Sequence, residues 1–220
     1  MSAPALAAHD LYKFYRAADE ETRALRGVSL TVDGGELVAV TGPSGSGKST
    51  LLACLAGLEE PTGGDVLLHG RRISHRAETD RARLRARHVG MLWQSSNLVA
   101  HLSVRDNVRL VQTLGPGEPR PVEALLESLG IDHRATALPH ELSGGEAARA
   151  GLAVALASSP SILLADEPTG ELDSDSEALV LHLLRELARS GSAVVVVSHS
   201  PSVAAIADRV VPLADGRVAA

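Results

Sequence analysis

The chain has 220 residues, of which 45% are hydrophobic and 22% charged, enough to bury the core of one large domain or of a domain carrying an inserted lobe. Its one cysteine, Cys54, excludes a disulfide framework within the chain and fits a reducing compartment. A formal net charge of −6 argues against nucleic acid as a partner; no stretch approaches the roughly 20 apolar residues of a membrane span, and the short, uncharged Met1–Ala8 segment gives no expectation of a secretory leader.

Three of the four aromatic residues, Tyr12, Phe14 and Tyr15, crowd near the amino terminus, and core packing is the simplest use for Tyr12 and Phe14. Val28, Leu30 and Val32 alternate with Ser29 and Thr31 as in a half-buried strand, and Asp33-Gly34-Gly35 supplies a tight turn into a second strand, Leu37–Val40. Next comes Gly42-Pro43-Ser44-Gly45-Ser46-Gly47-Lys48-Ser49-Thr50, followed by a helix-forming run from Leu51. Strand, glycine-rich loop and helix in that order build an anion site. The glycines let backbone N–H groups turn inward, and the helix start adds partial positive charge. A polyphosphate suits such a loop, with Lys48 reaching the β and γ phosphates and the Ser49 hydroxyl holding a Mg²⁺ ion that bridges them. Cys54, just inside this helix, reads as a small core residue.

Further strands are expected at Val66–Leu68 and Val89–Trp93. Between them, residues 71–87 hold seven arginines against Glu78 and Asp80; a solvated helix face accounts for this, with an anionic partner or lipid headgroups as alternatives. From Ser103 to Ser158 the apolar spacing is helical, interrupted at 115–119 and at Leu138-Pro139. Within it, Leu142-Ser143-Gly144-Gly145-Glu146 sets two glycines before a helix. Taken alone this is a capped helix start, although the Ser143 hydroxyl, the glycines and the helix terminus would also suit an anion. Strand pattern returns at Ile162–Ala165 and ends in Asp166 and Glu167. Alternation along an extended backbone would point these carboxylates in different directions, Asp166 toward a hydrated Mg²⁺ and Glu167 toward a water that attacks a γ phosphate. A helix with Leu179, Leu183 and Leu187 on one side precedes the last buried strand, Val194–Val197. Strands alternating with helices imply an α/β core with ligands at the carboxyl ends of the strands. About residues 95–158 read as a helical insertion into a core made of about residues 1–94 and 159–220.

The segment Leu142–Glu146, together with 42–50 and 162–167, resembles the signature, Walker A and Walker B motifs of ABC-type ATPases, a likeness that spans nearly the whole chain. It implies a P-loop NTPase core with an amino-terminal antiparallel β region and an inserted α-helical subdomain. ATP, Mg²⁺ and ATP hydrolysis come with it. So does a head-to-tail homodimer, in which Ser143, Gly144, Gly145 and Glu146 of one copy close over the nucleotide on the phosphate loop of the other. Gln94 resembles the Q-loop glutamine, which contacts Mg²⁺ or the attacking water. Asp173 resembles the D-loop aspartate at the dimer interface, His199 the switch histidine near the γ phosphate, and Tyr15 the A-loop aromatic that stacks on adenine.

Several positions depart from the family pattern. Glu146 replaces the common glutamine, and a carboxylate there repels triphosphate unless it points to ribose or solvent. Ala147-Ala148 replaces a polar pair, Trp93 stands where phenylalanine is usual, and Ser200 where an aspartate often follows the histidine. The segment 16–23 and the run from Asp166 to Ser174 are similar to the bacterial group of lipoprotein-release, macrolide-export and cell-division ATPases. That likeness implies a subunit on the cytoplasmic face of the inner membrane that powers a separate integral membrane permease. The alternative within the group is a nucleotide-dependent regulatory partner of a membrane protein that moves no substrate.

Overall fold

The computed structural model describes residues 3–17, 20–94, 97–115 and 120–219. Among the described residues ten strands, numbered along the chain, form two sheets. The first is antiparallel and runs β2-β1-β4-β5, from β1 (Leu6–Ala17), β2 (Glu20–Val32), β4 (Gly63–Leu68) and β5 (Arg71–Arg72). The second holds β3 (Leu37–Thr41), β6 (Val89–Leu92), β7 (Ile162–Asp166), β8 (Ala193–Val197), β9 (Arg209–Ala214) and β10 (Arg217–Val218). Its order is β10-β9-β3-β8-β7-β6, parallel throughout except for β10. The Asp33–Glu36 turn, closed by the Glu36 N–H on the Asp33 carbonyl at 3.2 Å, carries the chain from one sheet to the other.

Runs of Val, Leu, Ile and Ala in β3, β7 and β8 suit a parallel sheet covered on both faces, and the pleat sorts them. Val38, Val40, Ile162, Leu164, Val195 and Val197 face a core shared with the antiparallel sheet and helix α1 (Lys48–Leu55). Leu37, Ala39, Leu163, Ala165, Val194 and Val196 face a second core. The second core is closed by α3 (Val104–Leu114), α4 (Val122–Ser128), α5 (Gly144–Leu156), α6 (Ser174–Arg189) and α7 (Pro201–Ile206). Gly90 lets α5 lie directly on β6, since a Cβ there would fall 2.3 Å from the Ala155 carbonyl oxygen. Ser103, Ser143, Asp173 and Ser200 cap α3, α5, α6 and α7 with side-chain oxygens that accept from first-turn N–H groups, a bond worth about 1 kcal/mol at each helix start.

Three expectations change. Tyr12 is 41% exposed rather than core, because the ring lies across Gly27 and Gly63, which offer no side chains to cover it. The buried stripe of α6 is Val180, Leu181, Leu184 and Ala188, while Leu179 is exposed; Leu183 and Leu187 sit at its edge, about one residue's rotation from the expected face. The arginine-rich stretch forms α2 (Glu78–His88). Arg83 and Arg87 are exposed on it, whereas Arg81 is drawn inward by Glu60 and Arg85 by the Gly57 carbonyl at 3.0 Å, with the exposed Glu78 a further partner of both.

Candidate active site

Because β3, β6, β7 and β8 are parallel, their carboxyl ends bring the loop 42–47, Gln94, Asp166–Glu167 and Ser198–His199 to one edge of the sheet. A cleft of about 720 Å³ opens there, lined by Tyr15, Lys48, Ser49, Gln94, Asp166 and Glu167 among others. Two lining segments were not singled out from the sequence, Thr22–Arg26 in β2 and the turn at Asp215-Gly216. The second carries a signal: Asp-Gly after the apolar run 210–214 marks a two-residue hairpin, and both residues are left-handed, with φ of 48° and 73°.

These segments brace the phosphate loop. Gly47 has φ of 101°, and a Cβ on it would fall 2.3 Å from the Ala24 carbonyl oxygen of β2. The Gly216 N–H donates to the Ser46 carbonyl at 3.0 Å, and the Arg26 N–H to the Gly216 carbonyl at 2.8 Å. Lys48 Nζ donates to the carbonyls of Gly42 and Pro43 at 2.9 and 3.0 Å, so the ammonium is held at the loop. No side chain caps the start of α1, which leaves its first N–H groups to a ligand. Ser46 Oγ is buried without a protein partner, and nothing lies within 4 Å of where a Gly45 Cβ would be. Unpaired donors, open space and a fixed lysine fit a polyphosphate.

The residues also fit Mg²⁺. Asp166 is buried, and burial pushes its carboxyl above the usual range, against the Ser49 hydrogen bond and the Lys48 charge that pull it down, with Glu167 adding to the rise. Among the described residues no group of three His, Cys, Asp or Glu could hold a metal alone. One carboxylate beside one hydroxyl suits an ion that completes its shell with water and phosphate oxygens.

Glu167 corrects the pleat argument. Its carboxylate meets Ser198 and His199 while that of Asp166 meets Ser49, but its backbone is left-handed with φ of 46°, not that of an alternating strand. Such a conformation in a non-glycine residue costs about 1–3 kcal/mol and persists where surroundings over-determine it. Here the Glu167 N–H donates to the Val197 carbonyl at 2.9 Å, Oε2 accepts from Ser198 Oγ at 2.8 Å, and His199 Nδ1 lies 2.8 Å from Oε1. Tyr15 is 39% exposed at the cleft wall. Its hydroxyl donates to Glu59 Oε2 at 3.2 Å, and Lys13 Nζ sits 5.0 Å from its ring centre.

The signature segment and Asp173 are not among the residues that line this cleft. Ser143 and Gly144 are exposed, and Gly145 is buried against Ser176 of α6. Glu146 is occupied within its own chain. Its Oε2 accepts from the Ser143 N–H at 2.8 Å, and its Oε1 lies 3.4 Å from Arg134 Nε and 3.5 Å from His133 Nε2. The Ser143 N–H bond, then Arg134 and His133, hold its carboxyl below the usual range. Asp173 accepts from the Asp175 and Ser176 N–H groups at 3.1 and 3.0 Å, as the cap of α6.

Residues 25–170, which carry the phosphate loop, the signature segment and the acidic strand end, match the family model for the ABC transporter. The chain belongs to the ABC transporter family. Among its relatives is the lipoprotein-releasing system ATP-binding protein LolD of Psychrobacter arcticus, 42% identical over 96% of both chains. The macrolide export ATP-binding/permease protein MacB of Hyphomonas neptunium is 40% identical over 99% of this chain, which spans only 34% of that protein. A solved dimeric ATP-binding cassette, MJ0796, bound to ADP and Pi, superposes with a TM-score of 0.90 at 33% identity, over 98% of this chain and 97% of its own. The expected ABC ATPase core, with its antiparallel amino-terminal sheet and helical segments, is therefore the fold observed. Among the described residues no helix is long and apolar enough to cross a membrane.

Proposed function

We propose that this ABC protein is the ATP-binding and ATP-hydrolysing subunit of an export or lipoprotein-release type system, seated on the cytoplasmic face of the inner membrane. It would work as a head-to-tail homodimer and power a separate integral membrane permease. The observation that carries this reading is the meeting of Lys48, Ser49, Asp166 and Glu167 around one phosphate loop at a single sheet edge.

In this reading the loop N–H groups and Lys48 bind the β and γ phosphates, and Tyr15 positions the base by stacking. Ser49 and Asp166, with Gln94, would hold Mg²⁺, which would supply positive charge against that developing on the phosphates. Glu167 accepts a proton from water as its oxygen attacks the γ phosphorus and the bond to the β-phosphate oxygen breaks. His199, already paired with Glu167 Oε1, keeps that carboxylate oriented and faces the γ phosphate. Ser143, Gly144, Gly145, Glu146 and Asp173 belong to the surface that meets the second copy. Residues 95–158 act as the helical subdomain that passes closure from Gln94 to the permease.

Glu167→Gln tests this. The variant is expected to bind ATP and accumulate as a dimer by light scattering, with phosphate release abolished. Captured from native membranes with ATP, it should bring down an integral membrane chain. Normal hydrolysis by the variant would overturn the assignment of the base. A captured membrane protein that moves no substrate in reconstituted vesicles would favour the regulatory alternative.

A further inference from the structure

We propose that Ser198 is the positioning residue for the Glu167 carboxylate, anchored in turn by Ser200 and by Glu177 of α6; this rests on the reading of Glu167 as the base. Ser198 follows β8 and is 1% exposed. Its single hydroxyl proton goes to Glu167 Oε2 at 2.8 Å, and its oxygen accepts from the Ser200 N–H at 3.0 Å. The hydroxyl cannot turn away without stranding both partners at a site removed from water. The other contact to the carboxylate comes from His199, whose side chain is 74% exposed against 13% for Glu167. His199 thus holds the carboxylate from the exposed side, and the buried serine holds its other oxygen from the side of the sheet.

The chain of contacts continues. Ser200 Oγ accepts from the Ser202 N–H at 3.2 Å as the cap of α7, and donates to Glu177 Oε1 at 3.0 Å. Glu177 lies in the first turn of α6, directly after its Asp173 cap, and Thr169 Oγ1 reaches the same carboxylate oxygen at 3.5 Å. Position 200 is where the family often carries an aspartate. Here the loop residue is a neutral donor, and the carboxylate arrives from α6 instead. An acid at both places would repel, so Ser200 and Glu177 form a matched pair that fixes the loop bearing Ser198.

The test is steady-state ATP hydrolysis by the full chain with Ser198→Ala, Ser198→Thr, Glu177→Ala and, as reference, Glu167→Gln. Loss of carboxylate orientation in Ser198→Ala should lower kcat about ten- to a hundredfold, with KM for ATP within about twofold because ground-state binding is untouched. Ser198→Thr keeps the hydroxyl and should restore most of kcat. Glu177→Ala should lower kcat in the same sense, and the double variant Ser198→Ala/Glu177→Ala should lower it by less than the product of the two single effects. An unchanged kcat in Ser198→Ala, with Glu167→Gln inactive, overturns the proposal alone. A joint fall of kcat, ATP affinity and melting temperature that threonine does not rescue overturns it in favour of a packing role. Normal turnover by Glu167→Gln removes the base, and the positioning role with it.

Discussion

Gly145→Ala isolates the seam between the signature helix and the helix that begins at Asp173. The added Cβ would lie 2.3 Å from Ser176 Oγ and 2.7 Å from Ser176 Cβ. Ser176 Oγ donates to Asp173 Oδ2 at 2.8 Å, so swinging the hydroxyl away also gives up its bond to the cap of α6. Rotation also leaves the Cβ contact unrelieved, and moving α5 back from α6 carries an overpacking cost of about 1–3 kcal/mol. Opposing this, alanine gains up to about 1 kcal/mol of helix propensity over glycine. The steric side wins by up to about 2 kcal/mol, which for a chain of this size lowers Tm by up to roughly 8 °C. Thermal unfolding should be measured beside Gly144→Ala, whose Cβ would meet nothing nearer than Leu172 Cδ2 at 3.5 Å and which should melt at or slightly above the parent. Combining Gly145→Ala with Ser176→Gly removes both obstacles and should recover about 1 kcal/mol as a coupling energy. Equal melting of the two single variants would refute the steric argument.

Three further outcomes are expected. Tyr15→Ala should raise KM for ATP about two- to tenfold, the worth of one aromatic stack, with kcat little changed; an unaltered KM would remove Tyr15 from the base site. Glu146→Gln should lower Tm at neutral pH. The folded carboxyl is held down by the Ser143 N–H, Arg134 and His133, so its stabilisation is present above the unfolded value of about 4.3 and is lost as pH falls through the folded one. A Tm difference between parent and variant that does not shrink as pH falls below about 4.3 would show that the ionised carboxylate is not its source. Asp166→Asn should do the opposite, because burial raises that carboxyl in the folded chain. Ionisation then costs stability once pH exceeds the unfolded value of about 3.9, so the amide should melt higher at pH 7, with Mg²⁺-dependent turnover lost. A lower Tm would mean that the Lys48 and Ser49 contacts outweigh burial.

Much of the site was legible because the chemistry is local. The phosphate loop needs glycines at fixed offsets between a strand and a helix, and the buried strands 162–165 and 194–197 show themselves as unbroken apolar runs. What escaped depends on residues far apart in the chain. The Asp215-Gly216 turn carried a hairpin signal, yet only the packing of Gly216 under Ala24 turns it into a wall of the cleft. Tyr12 reads as core because it is aromatic, and is exposed because its ring lies over Gly27 and Gly63, which have no side chains to cover it.

Glu146 and Glu167 show why residue type alone underdetermines a role. Read from sequence, Glu146 is an unwelcome charge near triphosphate. In the fold it closes a reciprocal cap with Ser143 and meets Arg134 and His133, so the charge that departs from the family pattern is compensated within its own chain. Glu167 reaches its expected direction by an unexpected route, a left-handed turn that pleat alternation does not foresee. A strained turn leaves the carboxylate only as well aimed as its partners make it. The residues that hold it, His199 with Ser198 and the Ser200–Glu177 pair, therefore decide its chemistry, and of Ser198, Ser200 and Glu177 only Ser200 is marked in the sequence, as a departure from the family pattern.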